Sequence, residues 1–164
     1  TAQAFFDAVA AGDVDVVRLF LEGGFNPNTL LGFDLPIFAG VLSSTATNQI
    51  EMLDLMHGQQ ALKLDALIQT GVVYAIGMPG RSQLEPLSMS QPGQSITHGK
   101  VPTLVLAVYR ENTDVIRWLI EHGADPNQKG FFVDFQDQSR RLTEFTAISE
   151  AQKMGDKAII SALK

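Results

Sequence analysis

The chain has 164 residues, about one ordinary domain and enough to bury a core. It is 45% apolar and 18% charged, which excludes a disordered tail. A net charge of −6 and a pI near 4.9 repel phosphate backbones and anionic lipid, so nucleic acid is not an expected partner, whereas a protein with a basic or mixed-charge surface is.

With no cysteine, disulfides, thiolate metal sites and cysteine nucleophiles are excluded together. No apolar run approaches the roughly 20 residues of a membrane span, and no signal peptide is visible. The chain starts at Thr1 without a methionine, so a preceding tag or leader is expected to have been removed. A cytoplasmic location is expected, with a periplasmic or secreted one open if a leader was lost.

In chain order, the first element runs from Phe5 to Asn28 and reads as helix, Gly12-Asp13 turn, helix and stop. Leu35 to Val41 opens another helix, with Pro36 suited to a first helical turn. Ser43 to Gln60 is extra sequence, partly helical and packed, because it carries Ile50, Met52, Leu53, Leu55 and Met56. Ala61 to Gly71 reads as a second helix with a glycine stop.

Between Ala75 and Val101 stand Gly77, Pro79, Gly80, Pro86, Pro92, Gly93 and Gly99, which argue for a loop rather than regular structure. Leu104 to Asn127 is again helix, turn, helix, with Val115, Ile116, Leu119 and Ile120 as the buried stripe and Asp114, Arg117 and Glu121 facing water. Gly123 and Pro126 stop it. Phe131–Phe135 and Arg141–Phe145 are expected to pair as strands around Gln136-Asp137-Gln138-Ser139. Thr146 to Leu163 closes the chain as helix, Gly155-Asp156 turn, helix.

The first and third helix pairs match position for position. Val16-Val17-Arg18 answers to Val115-Ile116-Arg117, and Gly24-Phe25-Asn26-Pro27-Asn28 to Gly123-Ala124-Asp125-Pro126-Asn127. The offset is 99, three times 33. The ending His122-Gly123-Ala124-Asp125-Pro126-Asn127 and the period resemble the ankyrin-repeat family, and Leu35–Val41 resembles that family's TPLHxAA start.

The resemblance implies an all-α repeat, an ankyrin-like helix-turn-helix stack with long hairpin or loop fingers. It implies one domain over 1–164, with repeats about 1–32, 33–75, 101–130 and 145–164 and long fingers 75–101 and 128–145. The histidine of the TPLH motif is absent from every copy, its place taken by Phe6, Phe38, Val105 and Ser149. Neighbour ties must therefore rest on packing, and irregular stacking is expected.

Catalytic readings are poor. His57, His98 and His122 make no i, i+4 pair for a metal. Gly93–Lys100 resembles a phosphate loop but has five residues between its glycines where four are needed, and Val101 where a Ser or Thr should follow. Ser95 and His98 lack a third member and a rigid scaffold. Asp13, Asp15, Asp114 and Asp156 lie near helix starts and suit helix capping and the dipole. No catalytic, cofactor-binding or metal residue is assigned.

The expected function is a non-catalytic protein-interaction module, in concrete form an inhibitor or immunity-type partner of a bacterial toxin or enzyme. A small enzyme or ligand-binding protein with its site under the 75–101 loop, and a structural scaffold fragment, are the alternatives. The family's concave face would expose Asp7, Ala10 and Ala11; Ala39, Leu42 and Ser43; Leu106, Tyr109 and Arg110; and Glu150, Lys153 and Met154. Tyr109 and Arg110 are hot-spot types. The partner-binding residues expected are Leu42, Leu106, Tyr109 and Arg110; Tyr74, Met78, Arg81 and Leu84 on or beside the long loop; and Phe135, Asp137, Arg140 and Arg141 on the second finger. Asp134 adds to the charge mix there. A monomer is expected.

Overall fold

The computed structural model of the protein describes residues 1–69, 98–134 and 141–164. Seven α-helices are described there: α1 (Ala2–Ala11), α2 (Val14–Glu22), α3 (Gln49–Gln59), α4 (Thr103–Tyr109), α5 (Thr113–Glu121), α6 (Ala147–Met154) and α7 (Lys157–Ala162). A 3-10 helix over Ile37–Leu42 stands between α2 and α3. Four strands accompany them: β1 (Leu67–Gln69), β2 (His98–Pro102), β3 (Gly130–Asp134) and β4 (Arg141–Phe145).

Local chemistry sets these boundaries. Thr1 Oγ1 accepts from Ala4 N–H at 3.1 Å and starts α1. Asp13, Asn112 and Asp156 cap α2, α5 and α7 in the same way. Thr146 and Ser149 form a reciprocal capping box on α6. Gly12 (φ 74) and Gly155 (φ 70) end α1 and α6 in the left-handed region that glycine enters without steric cost. The third pair puts Glu111 (φ 56) at that position.

The helical elements pack in two rows. In one, α1 lies against Ile37–Leu42, that element against α4, and α4 against α6. In the other, α2 lies against α3, α3 against α5, and α5 against α7. Phe5, Phe6, Ile37, Phe38, Met52, Leu53, Met56, Leu104, Leu106 and Ile116 are fully buried between the rows. Gly40 permits close contact: a Cβ there would stand 3.1 Å from Val9 Cγ1 and 3.2 Å from the Phe6 carbonyl oxygen.

Asparagines tie the rows laterally. Asn48 Nδ2 donates across to the Gly12 carbonyl at 2.8 Å, and Asn112 Nδ2 donates to Gln49 Oε1.

Two expectations change. The chain is mostly helical, as expected, but not all-α, because the strands make one antiparallel sheet in the order β1-β2-β3-β4. Strand β2 pairs with β3, so successive fingers hydrogen-bond to each other and satisfy backbone groups that isolated loops would leave to water. The hairpin expected at Phe131 and Arg141 is present, pairing Phe131 with Glu144 and Asp134 with Arg141. At its base, Gly130 opposes Phe145, and a Cβ on Gly130 would lie 2.5 Å from Phe145 Cζ.

The second change concerns Ala61 to Gln69, which is not a helix. Asn28 clamps this stretch in extended form: Nδ2 donates to Ala61 O at 3.0 Å, and Oδ1 accepts from Lys63 N–H at 2.8 Å. Leu62 N–H donates to His57 Nδ1 at 3.2 Å. Side chains take the backbone partners that a helix would use. The second helix of this unit is α3, inside the stretch expected to be an insertion.

Candidate functional site

The turn between α2 and Ile37–Leu42 carries the most distinctive surface. Leu30 bridges Pro36, Leu31 N–H donates to Leu35 O at 2.8 Å, and the chain reverses through Gly32–Asp34. Phe33 (φ 63) and Asp34 (φ 57) both occupy the left-handed region. Each costs about 1 kcal/mol relative to a relaxed backbone.

The Asp34 carboxylate holds this geometry. Its Oδ2 accepts from Gln69 Nε2 at 3.0 Å and from Lys100 Nζ at 3.4 Å, joining the turn to β1 and β2. The hydrogen bond from Gln69 lowers the Asp34 pKa, partial burial opposes this, and the bond and charge of Lys100 lower it further. The anchored turn leaves Leu30 55% and Phe33 56% exposed.

The far edge of the sheet offers a second surface. Leu142 on β4 is exposed, and Lys129 pairs with Glu144 at 3.0 Å across the β3–β4 hairpin.

The residues expected to bind a partner divide sharply. Leu42 and Leu106 are corrected: at 2% and 0% exposure they belong to the core, as does Ala39. The stretch Thr103–Val108 is apolar all round, and such a helix is buried on every side. Leu42 ends a short 3-10 helix in which every residue is buried, and so it has no free face.

Tyr109 and Arg110 are half-buried at the end of α4. Asp7, Ala11, Lys153 and Met154 are exposed, Ala10, Ser43 and Glu150 half-buried. Arg141 enters β4 opposite Asp134. Tyr74, Met78, Arg81, Leu84, Phe135, Asp137 and Arg140 lie outside the described residues, as does most of the 75–101 loop.

Two histidines read separately in sequence meet in space. His122 stacks on Trp118 with centroids 3.7 Å apart, and its Nδ1 lies 2.7 Å from the Trp118 carbonyl oxygen. His57 sits edge-on to both rings, 5.5 Å from Trp118 and 5.0 Å from His122. Trp118 Nε1 donates to Asp54 Oδ1 at 2.7 Å. These contacts join α3 to α5. Among the described residues, no three His, Cys, Asp or Glu side chains are grouped to hold a metal ion. None of the described helices is long and apolar enough to cross a membrane.

The sequence pattern missed Leu30, Phe33 and Asp34. The available signal was Leu30-Leu31-Gly32-Phe33, an apolar run where a turn between Asn28 and Pro36 should be polar.

No curated protein matches the chain. Residues 98–131, running from β2 through α4 and α5 into β3, match the family model of the ankyrin repeat.

Proposed function

We propose that the helix pairs form an ankyrin-like stack serving as a non-catalytic protein-binding module, with the Leu30–Asp34 turn as a principal contact. Ankyrin repeats generally mediate binding between proteins. The observation that carries the site is Phe33: exposed, in a left-handed conformation, on a turn fixed by the Asp34 carboxylate. Local strain beside an exposed aromatic is a feature of binding sites. A pre-anchored apolar pair also loses little conformational entropy on binding.

The net charge of −6 favours a basic or mixed-charge partner. An inhibitor or immunity-type role against a bacterial toxin or enzyme fits a small acidic binder of this kind.

The test uses the chain and its Leu30→Ser/Phe33→Ser variant as baits in native-cell extract, with quantitative mass spectrometry and circular dichroism. A stoichiometric partner retained by the chain and lost by the folded variant is expected. Equal recovery by both baits, or no stoichiometric partner, overturns the assignment.

A further inference from the structure

Helices α2 and α5 have the same register, so Val16, Leu19, Phe20 and Phe25 correspond to Val115, Trp118, Leu119 and Ala124. The four on the α5 side are buried, at 1%, 4%, 1% and 8% exposure. Part of their cover is α3, where Asp54 accepts from the Trp118 indole and His57 meets its ring. On α2 the same face is largely open: Val16 is 36%, Leu19 66% and Phe25 43% exposed, while Phe20 is half-buried and stacks on Phe5.

The opposite end shows the complementary half. Leu104, Ala107, Ile116 and Leu119 are buried where α6 and α7 pack on α4 and α5. Forty-four residues on, their counterparts Ile148 and Ile160 are only half-buried, and with the buried Ala151 and Leu163 they line a shallow open pocket beside Gln152 and Lys164. The described residues thus end in two unpaired halves of a junction that the chain already makes internally. Charge agrees with pairing them: Asp15 and Glu22 are exposed on α2, Lys157 and Lys164 on or beside α7.

We propose that the chain associates head to tail with a second copy of itself, the Val16–Leu19–Phe25 face of one copy seating on the Ile148–Ile160–Leu163 pocket of the next. Such a contact is heterologous, so assembly continues past a dimer, into a ring or an open filament, as concentration rises. Gln152 and Lys164 replace the apolar Val108 and Ile120 of the internal junction, which makes the contact between copies reversible.

Sedimentation equilibrium of the 164-residue chain at low salt is the test. The weight-average mass is expected to rise from 17.8 kDa past twice that value as concentration increases. Leu19→Asp blocks the head, and Gln152→Glu/Lys164→Glu blocks the tail; all three positions are exposed, so both variants keep the fold. Each alone is expected to stay monomeric, while an equimolar mixture forms a dimer and stops. A constant monomer mass overturns the proposal. So does a plateau at dimer, or assembly that Leu19→Asp abolishes and the tail variant does not, since either means a symmetric contact.

Discussion

Helices α2 and α5 carry one pattern and meet two environments. Both have an Asp or Asn cap, an acidic first turn and an arginine at the fifth helical position, Arg18 or Arg117. On α5, the flank that begins at Val115 and ends at Ala124 lies under α3; on α2, the corresponding flank meets solvent. The apolar arc of α2 runs through Val14, Val16, Val17, Leu19, Phe20 and Leu21, wider than the stripe one buried face requires. A helix of this kind specifies two contacts, and only one is made within the described residues.

The sharpest way to break that comparison is to truncate both helices at the matched position. Trp118→Ala removes a side chain 4% exposed and leaves Asp54 without its indole donor. It is expected to cost about 3–5 kcal/mol in urea unfolding. Leu19→Ala, at the equivalent 66% exposed position, is expected to change stability by less than about 0.5 kcal/mol at concentrations where the chain is monomeric. Similar costs at both sites would mean that the first helix pair is covered in solution.

The same pair shows what the sequence makes legible. The match between Asp13 and Asn112, 99 residues apart, identifies two helix pairs correctly. It does not count three repeats. The second helices are capped or preceded by Asp13, Asn48, Asn112 and Asp156, at spacings of 35, 64 and 44 residues. The 99 therefore spans two intervals, one nearly regular and one carrying the long finger.

Helix α3 reads as helical but not as the second helix of its unit, because Gln49, Glu51, Asp54 and His57 dilute its apolar stripe and no glycine follows it directly. Ala61–Gly71 imitates a helix better, with Leu62, Leu64, Leu67 and Ile68 ahead of a glycine, but Asn28 holds it extended from 33 residues upstream. A hydrogen-bond clamp of that range leaves no periodic trace. The same holds for Leu42 and Leu106, whose burial is decided by neighbours in the row, and for Asp34, whose partners Gln69 and Lys100 are 35 and 66 residues away.

The turns that close the first-row helices give a graded test of how tightly adjoining units pack. Gly12 and Gly155 have nearly the same left-handed backbone. A Cβ on Gly12 would stand 2.5 Å from Ala46 Cβ and 2.8 Å from Asn48 Oδ1, whereas one on Gly155 meets nothing. Gly155→Ala is expected to cost about 1 kcal/mol of left-handed strain. Gly12→Ala adds roughly 1–3 kcal/mol of overpacking. Glu111, already strained at φ 56, runs the other way: Glu111→Gly is expected to stabilise by about 0.5 kcal/mol after the entropy of the added glycine is counted. Denaturation midpoints at constant m-value rank the three. Equal costs at Gly12 and Gly155 would show that the Ala46–Asn48 loop does not rest on the first turn.

The smallest expected effect separates the Leu30–Asp34 turn from the β3–β4 hairpin by what holds each. The hairpin β3–β4 is held chiefly by a five-pair backbone ladder, with one exposed ion pair, Lys129–Glu144, beside it, whereas the Leu30–Asp34 turn is tied to the sheet by one carboxylate. Asp34 has a folded pKa below the 3.8 of an unperturbed aspartate, through Gln69 first and Lys100 after it. A carboxyl depressed by folding contributes fully above the unfolded value and loses its contribution as pH falls through the folded one. The turn should therefore stay docked at pH 5 and release only below the ordinary aspartate range, while the β3–β4 ladder stays paired. Carboxyl-carbon NMR of Asp34, read together with the amides of Phe33, Gln69 and Lys100, follows this directly. Asp34→Asn should abolish the transition and weaken docking at every pH, because the amide keeps an acceptor for Gln69 but loses the charge facing Lys100. A midpoint at or above 3.8, or a turn whose amides do not move with the Asp34 titration, would mean that backbone pairing at Leu30 and Leu31 holds the turn by itself.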